Sequence, residues 1–297
     1  MIAIVTPGAV GGLLAALLER AGTPVTLVAR PESVDALRAD GLTVRSGRYG
    51  NFTAHPPVAT APPAGSDVLL AVKAYGLPDV LPGIAAAEPG EVLTLLNGLE
   101  HVDQLRRAGG IEAVAGAAIG VEVVRIDEGP DRIIDHRSDF LTITVPEHAG
   151  SWRVTEALRG AGVEVKVGGS EEAVLWTKLR MLAPLALLTS YWRAPLGEAR
   201  ERDPDLTEGL IAEVAAVATA GGVPTDAARL SRTIHNIHAE MRSSMQHDMA
   251  AERATELEHI GGAVQRAARE PREAAQATPH LDRVLDELRQ RLESTSR

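Results

Sequence analysis

The sequence contains no cysteine. That absence excludes disulfides, thiol nucleophiles and thiolate metal sites together. Aromatic residues make up only 3% of the 297 residues, so the core must be mostly Ala, Leu and Val. Basic residues are outnumbered by acidic ones, 30 against 40, for a formal net charge of −10. A nucleic-acid surface needs clustered Lys and Arg, so no nucleic-acid partner is expected. Also missing are a basic leader and a long uncharged apolar run. Neither a signal peptide nor a membrane span is expected, and the cytoplasm follows as the default location. What is present is ample apolar material, 45% of residues, and a length that suits two domains.

The first half alternates short β-rich runs with helical stretches. Residues 2–6 read as a strand, 8–21 as a helix and 25–29 as a strand. Further strands are expected at 68–72 and 91–96, and helices at 77–87 and 100–108. Residues 114–125, 132–134 and 140–145 look extended, and 163–167 form the last strand. Such alternation implies βαβ units and a mostly parallel sheet. From Glu171 onward the pattern is helical, with breaks at Pro195, Asp203-Pro204, Gly221-Gly222 and Pro271. The expected fold class is an α/β Rossmann-type dinucleotide-binding domain over residues 1–168, followed by an all-α substrate domain over 169–297.

Thr6-Pro7-Gly8-Ala9-Val10-Gly11-Gly12 follows the first strand and opens the first helix. This is the context a dinucleotide fingerprint requires. Gly8 lets backbone approach a pyrophosphate, Gly11 permits close helix packing, and Pro7, Ala9 and Val10 complete the turn. The helix start supplies free N–H groups and partial positive charge. The usual first glycine is replaced by Thr6. After the second strand, Arg30 stands where an NAD site carries an acid, and a cation there suits a 2′-phosphate. Lys73 follows the 68–72 strand on the same rim. Together they favour NADP, as NADPH, over NAD.

Two charges interrupt apolar stripes. Lys178 has Val174, Met181, Leu182 and Leu185 at i−4, i+3, i+4 and i+7. An ammonium on that face is costly without partners and suits a proton donor. Glu256 repeats the pattern, with Met249, Ile260 and Ala263 at i−7, i+4 and i+7. A buried structural ion pair explains the same pattern equally well. Asn97-Gly98 lies at the sheet rim, where the bland reading is a turn. Ser243 or Ser244 caps a helix or contacts a ligand. His235 and His238 share a helix face without a third ligand, so no metal site is expected. The charged helices of the second half leave a homodimer open.

Taken together, these motifs resemble 2-dehydropantoate 2-reductases (ketopantoate reductases) over nearly the whole chain. The matching stretches are Pro7-Gly8-Ala9-Val10-Gly11-Gly12, Arg30, Val72-Lys73-Ala74, Leu96-Asn97-Gly98, Leu175-Trp176-Thr177-Lys178-Leu179, and Ser243-Ser244-Met245 with Thr255-Glu256-Leu257. The resemblance implies that Lys178 is the catalytic lysine and that Ser244 binds a substrate carboxylate. It implies that Glu256 binds the substrate hydroxyl and that Asn97 lies by nicotinamide and substrate. Family asparagines four and eight residues after the lysine are here Leu182 and Ala186, which line the implied substrate site. Pro184 inside that helix removes a hydrogen bond to Arg180.

The implied reaction is NADPH-dependent reduction of a small 2-oxo acid, 2-dehydropantoate in the family. Two alternatives stay open at this stage. One is an NADP-dependent dehydrogenase of another hydroxy or amino acid. The other is a non-catalytic NADP-binding sensor.

Overall fold

The computed structural model describes residues 1–5, 8–128, 131–270 and 275–295. Contacts divide the chain into two compact units. Unit 1 comprises Met1–Leu96 and Glu100–Val174, and unit 2 comprises Asn97–Leu99 and Leu175–Arg297.

Unit 1 opens with β1 (Ile2–Val5), α1 (Ala9–Arg20), β2 (Val25–Val28) and α2 (Pro31–Asp40). Next come β3 (Leu42–Ser46), β4 (Phe52–Ala54), β5 (Val58–Ala59) and β6 (Asp67–Leu70). After these follow α3 (Leu77–Ala86), β7 (Val92–Thr94), α4 (His101–Gly109) and β8 (Val114–Gly116). The unit continues through β9 (Ala118–Gly120), β10 (Val123–Glu128), β11 (Asp131–His136), β12 (Thr142–Val145), α5 (Arg153–Gly160) and β13 (Glu164–Val167).

The main sheet has six strands in the order β5-β2-β1-β6-β7-β8, and every pairing in it is parallel. All four residues of β1, β2 and β6 are buried. Their runs are apolar on both faces because a central parallel strand is covered on both sides. The chain leaves β1 toward β2 on one side and returns on the other as β6, so β1 marks the switch in strand order. Ligands of open α/β sheets bind beyond the strand carboxyl ends at such a point. Two smaller sheets complete the unit, ordered β10-β11-β3-β4 and β13-β12-β9. The core joins Ile2, Ile4, Leu13, Leu17, Leu69 and Leu93 to residues of the smaller sheets, among them Ile134 and Ile143.

Several elements differ from expectation. The helix α2 and the hairpin strands β3 and β4 were not foreseen, nor was α5. The run 114–125, expected to be extended, is divided among β8, β9 and the start of β10. Thr6, Pro7 and Pro271 lie outside the described residues.

Unit 2 is helical. Its elements are α6 (Glu171–Trp192), whose first turn belongs to unit 1, then α7 (Leu196–Arg202), α8 (Pro204–Ala220) and α9 (Ala227–His235). They continue with α10 (Ser244–Ala250), α11 (Leu257–Arg269) and α12 (Pro279–Thr295). Sequence fixes several starts through caps. Asp203 accepts from Leu206 N at 3.0 Å ahead of Pro204, Asp226 from Arg229 N at 2.6 Å, and Ser243 from Gln246 N at 3.0 Å. Leu196, Ile211, Ala215, Leu230 and Ile234 form a local core against which Met181 and Leu185 pack. The helix α6 runs through Pro184 without ending. Among the described residues no helix is long and apolar enough to cross a membrane.

Candidate active site

In unit 1, Gly8 is the N-cap of α1 at φ −75° and ψ −171°. Gly8 is exposed, and a Cβ built on it would meet nothing within 4 Å. The first helical hydrogen bond runs from Gly12 N to Gly8 O at 2.8 Å. The amides of Ala9, Val10 and Gly11 therefore precede the helical ladder. No side chain caps this end and no acid stands in its first turn. Oriented N–H groups with no competing carboxylate are what a phosphate needs. Gly11 is buried. Gly12, to which the sequence reading gave no role, is where a Cβ would meet Ile134 Cδ1 at 2.9 Å.

Arg30 is exposed and serves as the N-cap residue of α2, directly after β2. Lys73 is half-buried and precedes a short 3₁₀ turn, Ala74–Gly76, after β6. Because β1, β2 and β6 are adjacent and parallel, Gly8, Arg30 and Lys73 all follow carboxyl ends on one rim of the sheet.

In unit 2 the side chain of Asn97 donates from Nδ2 to Glu256 Oε2 at 3.0 Å. These residues are 159 positions apart. Glu256 is buried, at 3% exposure. The backbone explains how they meet. Gly98 has φ +97°, and a Cβ there would stand 2.6 Å from the His259 carbonyl oxygen. Only glycine allows the Asn97-Gly98 turn to lie so close to the first turn of α11.

The stripe drawn around Glu256 needs correction. Glu256 is the N-cap residue of α11, and Met249 belongs to α10, so no single helix joins them. Ile260 and Ala263 are buried on α11 as expected. Lys178 lies on α6 half-buried rather than enclosed. Val174 is buried beside it, while Met181, Leu182 and Leu185 are half-buried. Ala186 is fully buried at 0% exposure. Ser244 is exposed as the first residue of α10, and the cap is Ser243, whose hydroxyl also lies 2.8 Å from Thr189 Oγ1. Of the histidines considered for a metal, His235 lies 2.9 Å from Glu208 Oε1, and His238 Nδ1 accepts from Glu240 N.

One signal went unused. Only three of the 30 basic residues are lysines, Lys73, Lys166 and Lys178. In a chain so committed to arginine, a lysine marks a place where a compact ammonium is wanted. The arginines and buried polar groups of unit 2 that line a large cavity, described below, carry no signal of their own. They are scattered over a hundred positions of sequence.

Comparison with known proteins gives a consistent result. A family model described as ketopantoate reductase PanE/ApbA matches residues 2–150, and its C-terminal counterpart matches 172–292. An uncharacterized oxidoreductase of Bacillus subtilis, YkpB, is 30% identical over 87% of this chain and 89% of its own length. The 2-dehydropantoate 2-reductase of Archaeoglobus fulgidus is 30% identical over 89% of each chain. Among solved structures, a PanE/ApbA family ketopantoate reductase from Ralstonia eutropha superposes with a TM-score of 0.87 at 25% identity, covering 100% of both chains.

Proposed function

Because the chain belongs to the ketopantoate reductase family, we propose that it reduces a 2-oxo acid to a 2-hydroxy acid with NADPH. The family substrate, 2-dehydropantoate, is the first candidate, giving pantoate for pantothenate biosynthesis. The observation that carries the reading is the hydrogen bond from half-buried Asn97 to buried Glu256. It joins two polar side chains from distant parts of the sequence, both expected to serve one substrate.

Unit 1 fits the cofactor. The uncapped start of α1 at Gly8, Ala9, Val10 and Gly11 suits a pyrophosphate. The exposed Arg30 suits a 2′-phosphate, with Lys73 as a further cation on the same rim. Pro7 is assigned to the same turn by resemblance alone. A nicotinamide dinucleotide supplies hydride when bound.

On unit 2, Lys178 stabilises the negative charge that develops on the carbonyl oxygen and then donates its proton. A half-buried ammonium serves this better than an exposed one, because partial exclusion of water strengthens its field. Glu256, fixed by Asn97, accepts a hydrogen bond from a substrate hydroxyl. Asn97 also orients the carbonyl, and Ser244 takes the carboxylate. Leu182 contributes an apolar wall where the family has an amide.

The test is oxidation of NADPH and NADH by the purified protein with a panel of 2-oxo acids that includes 2-dehydropantoate. The reading expects turnover with NADPH and little with NADH. Oxidation of neither cofactor by any member of the panel would remove it.

A further inference from the structure

Unit 2 contains a cavity of about 910 Å³. Neither Lys178, Asn97, Glu256 nor Ser244 lines it. A volume of this order accommodates a small molecule of cofactor size. Its wall carries Arg193, Arg242, Arg253 and Arg291, against one carboxylate, Glu252. In a chain of net charge −10, that is a local reversal of sign.

Two of these arginines are already engaged. Arg253 binds Asp248 at 3.0 Å, and Arg291 binds Glu287 at 2.9 Å and the Tyr191 carbonyl at 2.7 Å. Arg193 and Arg242 are exposed and have no ion-pair partner among the described residues.

A second, independent observation concerns neutral groups. Ser190 and Gln246 also line the cavity, at 2% and 6% exposure. Ser190 Oγ and Gln246 Oε1 are buried without a hydrogen-bond partner. The amide orientation of Gln246 is fixed, because its Nε2 donates to the Ala194 carbonyl at 3.2 Å. Flipping it would set two acceptors against each other. Buried polar atoms are satisfied in the great majority of cases, so a pair left open at one cavity points to a ligand that completes them.

The backbone agrees. Among the described residues three non-glycines have positive φ, and two of them, Arg193 at +51° and Glu252 at +52°, stand at this cavity. Such strain persists where function holds the residue in place.

We propose that this cavity is a binding site for a small polyanion, bearing phosphate or carboxylate groups and at least one hydrogen-bond donor. Arg193 and Arg242 hold the oxyanions. Ser190 and Gln246 fix the orientation, Gln246 Oε1 as acceptor. Glu252 at the wall disfavours ligands of excess charge. The proposal does not depend on the reductase reading, since its residues are separate from those assigned to that reaction.

Calorimetric titration of the full chain with pyrophosphate and with citrate tests it, the two probes separating phosphate from carboxylate recognition. At least one probe is expected to show a binding step that Arg193→Gln with Arg242→Gln weakens by at least about tenfold. Pyrophosphate also suits the turn at Gly8, so the step that counts is the one lost in the double variant. Glu252→Gln should tighten the same step. Arg193→Gly provides a control for folding. Glycine favours φ +51°, so this variant should melt at an equal or higher temperature and still bind more weakly. No heat with either probe, or isotherms identical in the parent and both arginine variants, would overturn the proposal.

Discussion

Arg30 is exposed, follows β2 directly and opens α2. Its guanidinium is thus placed by a strand end and a following proline, with no salt bridge among the described residues. If it binds the 2′-phosphate, Arg30→Ala removes a charge-assisted contact worth about 1.5–3 kcal/mol. NADPH affinity should fall by roughly ten- to a hundredfold, while NADH affinity stays unchanged. Fluorescence titration with both cofactors checks this, and equal loss for both would assign Arg30 a structural role. Leu182 is a second residue with a separable prediction. It is half-buried on α6, whereas Ala186 is fully buried. Leu182→Asn is therefore the substitution the helix can accept, and an amide at Ala186 would overpack the interior. Leu182→Asn should raise kcat/KM for 2-dehydropantoate relative to an apolar 2-oxo acid. An unchanged ratio would remove Leu182 from the substrate wall. At this scale the sequence showed which residue types matter but misjudged their settings. The periodicity around Glu256 suggested one continuous helix, because Ala251-Glu252-Arg253-Ala254 are good helix formers. Tertiary context broke it instead, with Glu252 at φ +52° and Glu256 at a helix start.

Helix α12 depends on acids from its neighbours. Glu213 of α8 accepts from His280 N at 2.9 Å, His280 Nδ1 at 2.6 Å and Leu281 N at 2.8 Å. A carboxylate here caps α12 from outside its own sequence and meets the positive end of its dipole. Glu213→Ala leaves the buried Leu281 N–H without its partner and removes two half-buried bonds from His280, and should lower stability by about 1–3 kcal/mol, read from urea denaturation. No change in the midpoint would show that water replaces the cap.

Glu258 of α11 makes a two-point contact with Arg289 of α12 at 2.8 and 2.9 Å. Hydrogen bonding from Arg289 holds the carboxyl below its ordinary range, against an opposing effect of burial. A depressed pKa stabilises the fold at pH values above the unfolded carboxyl's pKa. The gain disappears as pH falls through the lower, folded value. Half-exposed, the pair contributes at most about 1 kcal/mol. Glu258→Gln should therefore reduce stability at neutral pH and flatten its fall in acid. Equal acid slopes in both proteins would contradict this. Element order in the first half was legible because strand and helix periods alternate cleanly. The helix α5 and the break after α10 were not, since their limits are set by packing that no local pattern records.

At the scale of the whole molecule, an acidic chain with few lysines places Lys73 on unit 1 and Lys178 on unit 2. The parallel sheet and the free N–H groups at the start of α1 were readable, because buried strands and glycine turns leave strong local marks, whereas the switch point at β1 emerges only from the strand order. The arginine-lined cavity was not readable, since it assembles from the ends of α6, α10 and α12. The central claim is that Lys178 stabilises and protonates the developing alkoxide. Lys178→Met keeps length and apolar packing while removing charge and proton. Single-turnover hydride transfer from NADPH should be measured on this variant beside its melting temperature and NADPH affinity. The account predicts a folded protein that binds NADPH normally and transfers hydride at least about a hundredfold more slowly. A folded, NADPH-binding Lys178→Met protein that reduces its substrate near the parent rate would contradict it.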